Sequence, residues 1–226
     1  MKFRMKKPVE KSYGIIGLGR FGLALALSLA EAGKEILVID YDEEHVKEMR
    51  NYTENAFVVH KLDRSTLEDT GIQNCDVVVV CIGATVDTSI LTTLNVIELG
   101  VPRVISKAST ADQGKVLEKI GAEVVYPERD MAIRLAHRLV SERLMNYFEL
   151  RGDINISELS LSEALDGQTV SEADIRKNFG LNIIALEREY EIITEITPNL
   201  VFRKDDVIVL LGSQEKIEKF EEFLSS

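Results

Sequence analysis

The stretch that decides the fold runs from Tyr13 to Asp40 and reads YGIIGLGRFGLALALSLAEAGKEILVID. It contains a short apolar run, a GxGxxG loop, a helical pattern and a second apolar run. In such a loop Gly17 permits a tight turn, Gly19 lets backbone amides approach a phosphate, and Gly22 lets the helix pack close to the strand. The stretch therefore predicts the first strand, phosphate loop, helix and second strand of a nucleotide-binding domain.

The acid at the end of the second strand strengthens this interpretation. Asp40 lies 18 residues beyond Gly22, where a carboxylate accepts hydrogen bonds from the ribose of an adenosine and repels the extra phosphate of NADP. NADP is therefore disfavoured. Arg20, inside the loop, could reach several phosphate oxygens and favour ATP or ADP; the alternative is a surface arginine that pairs with a neighbouring acid.

Further candidates follow later strands at the same carboxyl edge of the sheet. Gly83-Ala84-Thr85 follows the fourth strand, and its backbone either lines the ligand crevice or forms a plain strand-ending turn. Lys107 ends the fifth strand and either adds positive charge near phosphates or is a surface lysine. Glu128 follows the sixth strand and either holds a divalent cation against phosphate oxygens or favours the start of the next helix.

The alternation of apolar runs and helical patterns predicts the architecture. Six strands with helices between them predict an α/β fold, a Rossmann-type doubly wound parallel sheet over residues 12–150. Hairpin-like strand pairs and a terminal amphipathic helix predict a small α+β module over residues 151–226. A long helix is expected over residues 130–147, either covering its own sheet or serving as a dimer or crossover helix.

Composition limits the function classes. The formal net charge of −11 argues against a nucleic-acid partner, which needs a basic face. No apolar run is long enough to cross a bilayer, so we expect a cytoplasmic protein. The two cysteines, Cys75 and Cys81, match neither a metal knuckle nor a redox pair and are expected to be buried core residues.

Catalytic machinery is not evident in the sequence. The histidines, His45, His60 and His137, are scattered, and two fall on predicted helices without a partner acid at useful spacing, so surface or capping roles are expected. No Walker lysine, nucleophile elbow or paired metal-ligand cluster is present. A dehydrogenase would also need a substrate domain with a proton donor. We therefore predict a protein that is not an enzyme.

Several segments together resemble the RCK subunits, cytosolic regulators of Ktr and Trk-type potassium uptake systems. The resemblance covers about residues 13–224 and implies an RCK N-terminal domain that binds ATP, ADP or sometimes NAD, joined to an RCK C-terminal domain. It also implies homodimers that assemble into an octameric ring beneath a membrane potassium channel subunit, at the inner face of the membrane. The segments that carry it are YGIIGLGRFGLALALSL, ILVID, VVVVCIGA, LTTLNVIELGV, KVLEKIGAEVVYPERDMAIRLAH and VIVLLGS.

The resemblance assigns roles by position. Arg20 would touch the terminal phosphates of ATP, Asp40 would hold the ribose, and Glu128 would help bind Mg²⁺ or Ca²⁺ at the dimer interface. The loop residues expected against the nucleotide are Gly17, Gly19, Arg20, Phe21 and Gly22.

The resemblance also implies a second ligand site, because in some relatives the C-terminal domain binds cyclic di-AMP between two protomers. Val170 and Pro198 fall at places of apolar contact, Arg176 at that of a phosphate-facing cation, and Asn182 at that of a polar contact. One departure bears on the first site. After the third strand the family usually has Gly-Asp or Gly-Asn, then a small residue and Thr, whereas this chain has His60-Lys61-Leu62. His60 is then the candidate to stack on or bond to the base.

The sequence thus predicts a gating subunit of a potassium uptake system, controlled by ATP or ADP and by cyclic di-AMP. The alternatives are an NAD-dependent oxidoreductase, which the glycine loop and Asp40 would also suit, and a regulatory protein that senses NAD or NADH.

Overall fold

The computed structural model describes residues 11–83, 85–140, 143–150 and 152–225. The chain divides into two compact units, residues 1–129 and 130–226. The domain border expected at residues 150 and 151 stays a prediction, since this division groups the segment from residue 130 onward with the second unit.

The first unit alternates strands and helices. Its strands are β1 (Ser12–Ile16), β2 (Glu35–Asp40), β3 (Ala56–Val58), β4 (Val77–Val80), β5 (Arg103–Lys107) and β6 (Glu123–Val125). Its helices are α1 (Arg20–Glu31), α2 (Glu43–Met49), α3 (Arg64–Asp69), α4 (Val86–Glu98), α5 (Ala111–Lys119) and the start of α6 (Pro127–Val140).

These strands form one parallel sheet in the order β3-β2-β1-β4-β5-β6. All four valines of β4, Val77–Val80, are buried, as expected for a central strand covered by helices on both faces. The strand order reverses between β1 and β4, which opens a crevice outside the carboxyl ends of the strands. The predicted Rossmann-type doubly wound sheet of six strands is confirmed.

The second unit is an antiparallel sheet with short helices. Its strands are β7 (Leu144–Glu149), β8 (Ile154–Ser160), β9 (Asn182–Arg188), β10 (Glu191–Ile193) and β11 (Val207–Ser213), in the order β10-β9-β11-β8-β7. Its later helices are α7 (Val170–Ala173), α8 (Ile175–Phe179) and α9 (Gln214–Leu224). Phe220 of α9 and Phe202 are fully buried in its core. This confirms the predicted small α+β module.

The prediction of a long helix over residues 130–147 is wrong at its C-terminal end. α6 ends at Val140, and residues 144–149 form β7, whose Tyr147 pairs with Ser157 of β8. Pairing with β8 outweighs the local helical pattern, since aromatic residues fit a pleated surface well. The apolar stripe of α6 is exposed, with Met131 at 61%, Leu135 at 50% and Leu139 at 77%, which argues against a helix that covers its own sheet.

Both cysteines are free and buried. Burial raises the pKa of the Cys75 thiol to about 11 and that of the Cys81 thiol to about 12. Because the thiolate is the reactive form, these side chains are inert core residues at neutral pH, as predicted.

A buried ion pair fixes the last turn of the second unit. The Arg188 guanidinium donates to both carboxylate oxygens of Asp206, at 2.8 and 2.6 Å, and to the carbonyl of Val201 at 2.8 Å. Asp206 is 3% exposed and also accepts from the Arg203 amide. This arrangement joins β9 to the turn that precedes β11.

Replacing Arg188 by Met should lower the free energy of unfolding of the second unit by about 3 kcal/mol, because it leaves the Asp206 carboxylate buried without its cation. Urea unfolding would measure this. Arg203→Met is the matched control: it removes the same charge from an exposed side chain but keeps the backbone donor. Equal losses of unfolding free energy in the two variants would contradict a stabilising role of the Arg188–Asp206 pair.

Candidate functional site

The glycine loop makes its turn through close backbone contacts. Gly17 has φ +96°, a conformation that side chains rarely adopt, and its amide donates to the carbonyl of Ile39 at 2.8 Å. A Cβ on Gly22 would lie 1.9 Å from the Gly17 carbonyl oxygen, so only glycine lets α1 start against this turn. Gly22 is therefore buried behind the loop and does not face a ligand.

The start of α1 leaves unpaired amides at the loop. Gly19 is its N-cap residue, no side chain caps it, and the first turn contains no acid. A Cβ built on Gly19 meets nothing within 4 Å, so the space in front of it is open. A helix N-terminus of this kind attracts a phosphate through its free N–H groups and its dipole.

Asp40 connects the loop to the end of β2. One of its carboxylate oxygens accepts from the Leu18 amide, and the other accepts from the Asp42 amide at 2.8 Å. The side chain is only 4% exposed. The carboxylate is therefore held in place by two backbone donors, and it keeps the capacity to accept further hydrogen bonds.

A cleft of about 550 Å³ lies at this carboxyl edge, and we call it the sheet-edge cleft. It brings together all of the predicted first-unit residues except Gly22 and Ala84, the latter lying outside the described residues. The predicted residues that line it are Gly17, Gly19, Arg20, Phe21, Asp40, His60, Gly83, Lys107 and Glu128. Its apolar side includes Val59, Leu62 and Ile82, a surface suited to the face of a base.

Lys107 and Arg20, which both line the sheet-edge cleft, differ in whether they form an ion pair. Lys107 donates to Glu128 at 2.5 Å, and this hydrogen bond is the main cause that lowers the pKa of Glu128, with a smaller lowering from the charge of Arg20. Arg20 is exposed at the loop, and in the described part of the chain no acid forms an ion pair with it. Arg20 is thus the more available cation for a phosphate.

The residues do not make a metal site by themselves. Among the described residues no group of three or more His, Cys, Asp or Glu side chains could hold a metal ion. Glu128 supplies one carboxylate, already bonded to Lys107. A single carboxylate is too few ligands for Mg²⁺ or Ca²⁺, which take six or more oxygen ligands.

The structure also shows cleft residues that the sequence did not single out. Tyr41 and Ser109 line the cleft; they follow β2 and β5, so the rule that strand ends form the crevice could have found them. His45 lines it too, although a surface or capping role was expected and a partner acid was thought to be missing. Asp42 lies three residues before it, with Oδ2 at 3.9 Å from Nδ1; an acid is thus present at helical spacing, but it makes no direct hydrogen bond to the ring.

A second cavity, of about 410 Å³, lies in the second unit and is called the C-terminal pocket below. Backbone hydrogen bonds build it: the Val170 amide donates to Leu200 at 2.9 Å and the Ser171 amide to Pro198 at 3.0 Å. A capping box between Thr169 and Glu172 starts α7 at this place. These bonds hold the loop before β11 against α7.

All four residues predicted for a dinucleotide line this one pocket. They are Val170, Arg176, Asn182 and Pro198. Ile175, Ile183 and Ile196 add apolar walls, while the exposed Arg176 is its cation. Asp174 lines the pocket as well, so the lining combines one cation and one carboxylate with apolar walls that suit a flat ring.

Fold and cleft define a protein with a Rossmann-type domain followed by a small α+β domain. The TrkA-N domain model matches residues 13–127 and the TrkA-C domain model matches residues 156–225. The chain belongs to the Ktr potassium uptake proteins that combine these two domains, which confirms the RCK resemblance.

Individual relatives match over almost their whole length. The chain is 39% identical over 214 residues to Ktr system potassium uptake protein C of Bacillus subtilis, covering 94% of this chain and 97% of that protein. It is 34% identical over 213 residues to Ktr system potassium uptake protein A of the same organism, covering 94% and 96%.

A solved structure supports the fold of the first unit. The TrkA-N domain of the inner membrane protein ybaL from Escherichia coli superposes with a TM-score of 0.52 at 18% identity, covering 58% of this chain and 98% of that domain.

Within the described residues, none of the helices combines the length and the apolar character that crossing a membrane requires.

Two alanine variants separate ligand contact from folding at the loop. Gly19→Ala should keep the free energy of unfolding within about 1 kcal/mol and weaken adenylate binding by about tenfold or more, because the new methyl group occupies the open space before the helix terminus. Gly22→Ala should cost about 3 kcal/mol of stability through its clash with Gly17. Calorimetric titration and thermal unfolding would measure both. Unchanged affinity in Gly19→Ala would exclude phosphate binding at this turn.

Proposed function

We propose that this chain is a cytoplasmic regulatory subunit of a potassium uptake system and that ATP or ADP in the sheet-edge cleft controls it. The observation that carries the proposal is the meeting, in one cleft, of an uncapped helix N-terminus at Gly19, an available cation at Arg20 and a rigid carboxylate at Asp40. The full-length similarity to two Ktr system potassium uptake proteins supports the biological role.

The charges favour a nucleotide with a phosphate chain. Lys107 and Glu128 neutralise each other, so Arg20 is the group that distinguishes ATP from ADP, by reaching the terminal phosphate. A divalent cation would join only with oxygen ligands from the phosphates or a second protomer, and no step of the proposal depends on one.

NAD is the competing ligand, since the loop and Asp40 also suit it. A metabolite-oxidising enzyme on this cleft would transfer hydride to NAD in the presence of substrate, and a sensor of NAD or NADH would bind these without turnover. Similarity over nearly the entire length to potassium uptake proteins favours a regulatory, non-catalytic role instead.

The regulatory response requires assembly. The stripe of Met131, Leu135 and Leu139 on α6 is exposed in the single chain, and a second copy packed on it would bury apolar surface at about 25 cal/mol per Å². We propose homodimers joined at α6 that assemble into the octameric ring. A ligand moves such a ring only through different affinities for two of its shapes, a coupling of about 1–3 kcal/mol.

Potassium uptake into vesicles that carry a Ktr-type membrane subunit and this protein should differ between ATP and ADP. Arg20→Ala should reduce that difference and weaken ATP binding by about tenfold more than ADP binding, because the lost contact is charge-assisted. Arg50→Ala is the matched control, because it removes the same charge from an exposed arginine that lies far from Arg20 in the sequence. Equal uptake with both nucleotides in the unmodified protein would remove the proposed control, and turnover of NAD with a metabolite would favour the oxidoreductase.

We further propose that the C-terminal pocket binds cyclic di-AMP between two protomers. Arg176 is its cation and Val170, Asn182 and Pro198 are its walls. The pocket of one chain supplies half of such a two-fold site.

Arg176→Ala should weaken cyclic di-AMP binding by about tenfold or more, as expected for the loss of a charged hydrogen bond to a phosphate. Lys177→Ala is the control, because it removes the same charge from an exposed neighbour on α8 that does not line the pocket. Calorimetric titration of each variant would decide, and identical affinities would speak against a site at this pocket.

A further inference from the structure

His45 has a feature that the proposed nucleotide contacts leave unexplained. It lies on α2 and lines the sheet-edge cleft. Its ring is 41% exposed, yet the Nδ1 atom is buried and has no hydrogen-bond partner. An unpaired buried polar atom is costly, so a water molecule, or a group of a bound ligand that displaces it, is expected to satisfy Nδ1.

The surroundings of Nδ1 define what that group is. Asp40 Oδ1 lies 4.0 Å away and Asp42 Oδ2 lies 3.9 Å away, both too far for a direct hydrogen bond. Two hydrogen bonds of about 2.8 Å that meet at one tetrahedral oxygen place their outer atoms about 4.6 Å apart. The gap between Nδ1 and Asp40 therefore needs only a slight opening to hold a single oxygen atom.

That oxygen must both accept and donate. Nδ1 offers an N–H in one neutral tautomer and in the imidazolium, whereas Asp40 is an acceptor. A water molecule and a sugar hydroxyl have both capacities, while a phosphate or a carbonyl oxygen lacks the proton for Asp40. Of the groups of a bound nucleotide, a sugar hydroxyl is therefore the one that fits. Since a carboxylate accepts about four hydrogen bonds, Asp40 keeps room for the hydroxyl beside its two backbone donors.

We infer that His45 is a second ribose contact: its Nδ1–H donates to one sugar hydroxyl of the bound nucleotide, and the same hydroxyl donates to Asp40. This inference rests on the proposed nucleotide site and gives it a selectivity for ribonucleotides over their deoxy forms. A phosphate group on that hydroxyl would be repelled, because the Asp40 and Asp42 carboxylates lie 4.0 and 3.9 Å from Nδ1.

A purely structural role for His45 makes a different prediction. In that case the ring only balances the charges of Asp40 and Asp42 and steadies the turn before α2, whose N-cap is Asp42. Loss of the ring would then change stability and the affinity for every nucleotide alike. Selectivity between sugars distinguishes the two roles.

The test measures the affinities of ATP, 2′-deoxy-ATP and 3′-deoxy-ATP for the full chain by calorimetry. In the unmodified protein one deoxy analogue should bind about tenfold more weakly than ATP, because two hydrogen bonds are lost with the hydroxyl. In His45→Phe the same comparison should give only about threefold, since the bond to Asp40 alone remains. Lys47→Phe, at an exposed position of the same helix that does not line the cleft, should keep the full discrimination.

Two conservative variants locate the donor atom. The amide nitrogen of Asn occupies nearly the place of Nδ1, whereas that of Gln falls nearer Nε2. His45→Asn should therefore restore the tenfold discrimination and His45→Gln should not. Melting temperatures of all variants establish that they are folded.

The outcomes separate this inference from the proposed function. If the unmodified protein binds no adenylate, the proposed nucleotide control fails, and the role of His45 fails with it. If ATP and both deoxy analogues bind the unmodified protein equally well, the nucleotide site stands and the ribose contacts of both His45 and Asp40 are overturned. If His45→Phe weakens all three by the same factor, only the ribose contact of His45 is overturned.

Discussion

The bond between the Leu18 amide and Asp40 is the contact on which the first unit's site depends. It ties the glycine turn after β1 to the end of β2, while Gly22 lets α1 begin against the Gly17 carbonyl. One carboxylate thus fixes the direction of a helix N-terminus and stays at the edge of the cleft. Because the same side chain makes both contacts, the geometry of the loop and the position of the carboxylate in the cleft cannot be separated.

In the second unit, a different set of contacts holds the pocket in place. Its C-terminal pocket depends on backbone bonds that hold the loop around Pro198 against α7, and on the Arg188–Asp206 pair near the end of that loop. Backbone bonds constrain position without specifying side chains.

Sequence reasoning worked best where a local pattern had one physical solution. The GxGxxG loop, the acid of Asp40 and the valine run of β4 each allow few conformations, so the sheet and most of the cleft could be predicted. It failed at residues 144–149, where a helical pattern competes with pairing to β8. It also missed His45, because the sequence of a seven-residue helix does not reveal which of its side chains lines a cleft.

The sequence alone determined the fold class, the glycine turn and the residue types at the strand ends, because these follow from backbone sterics and from the periodicity of apolar residues. Only the tertiary structure decided how the charges are shared: that Lys107 is bonded to Glu128, that Arg20 stays available, and that Nδ1 of His45 lies unpaired beside Asp40. Such relations depend on the distances and orientations of side chains in three dimensions. A pattern of residue types along the chain does not contain these distances.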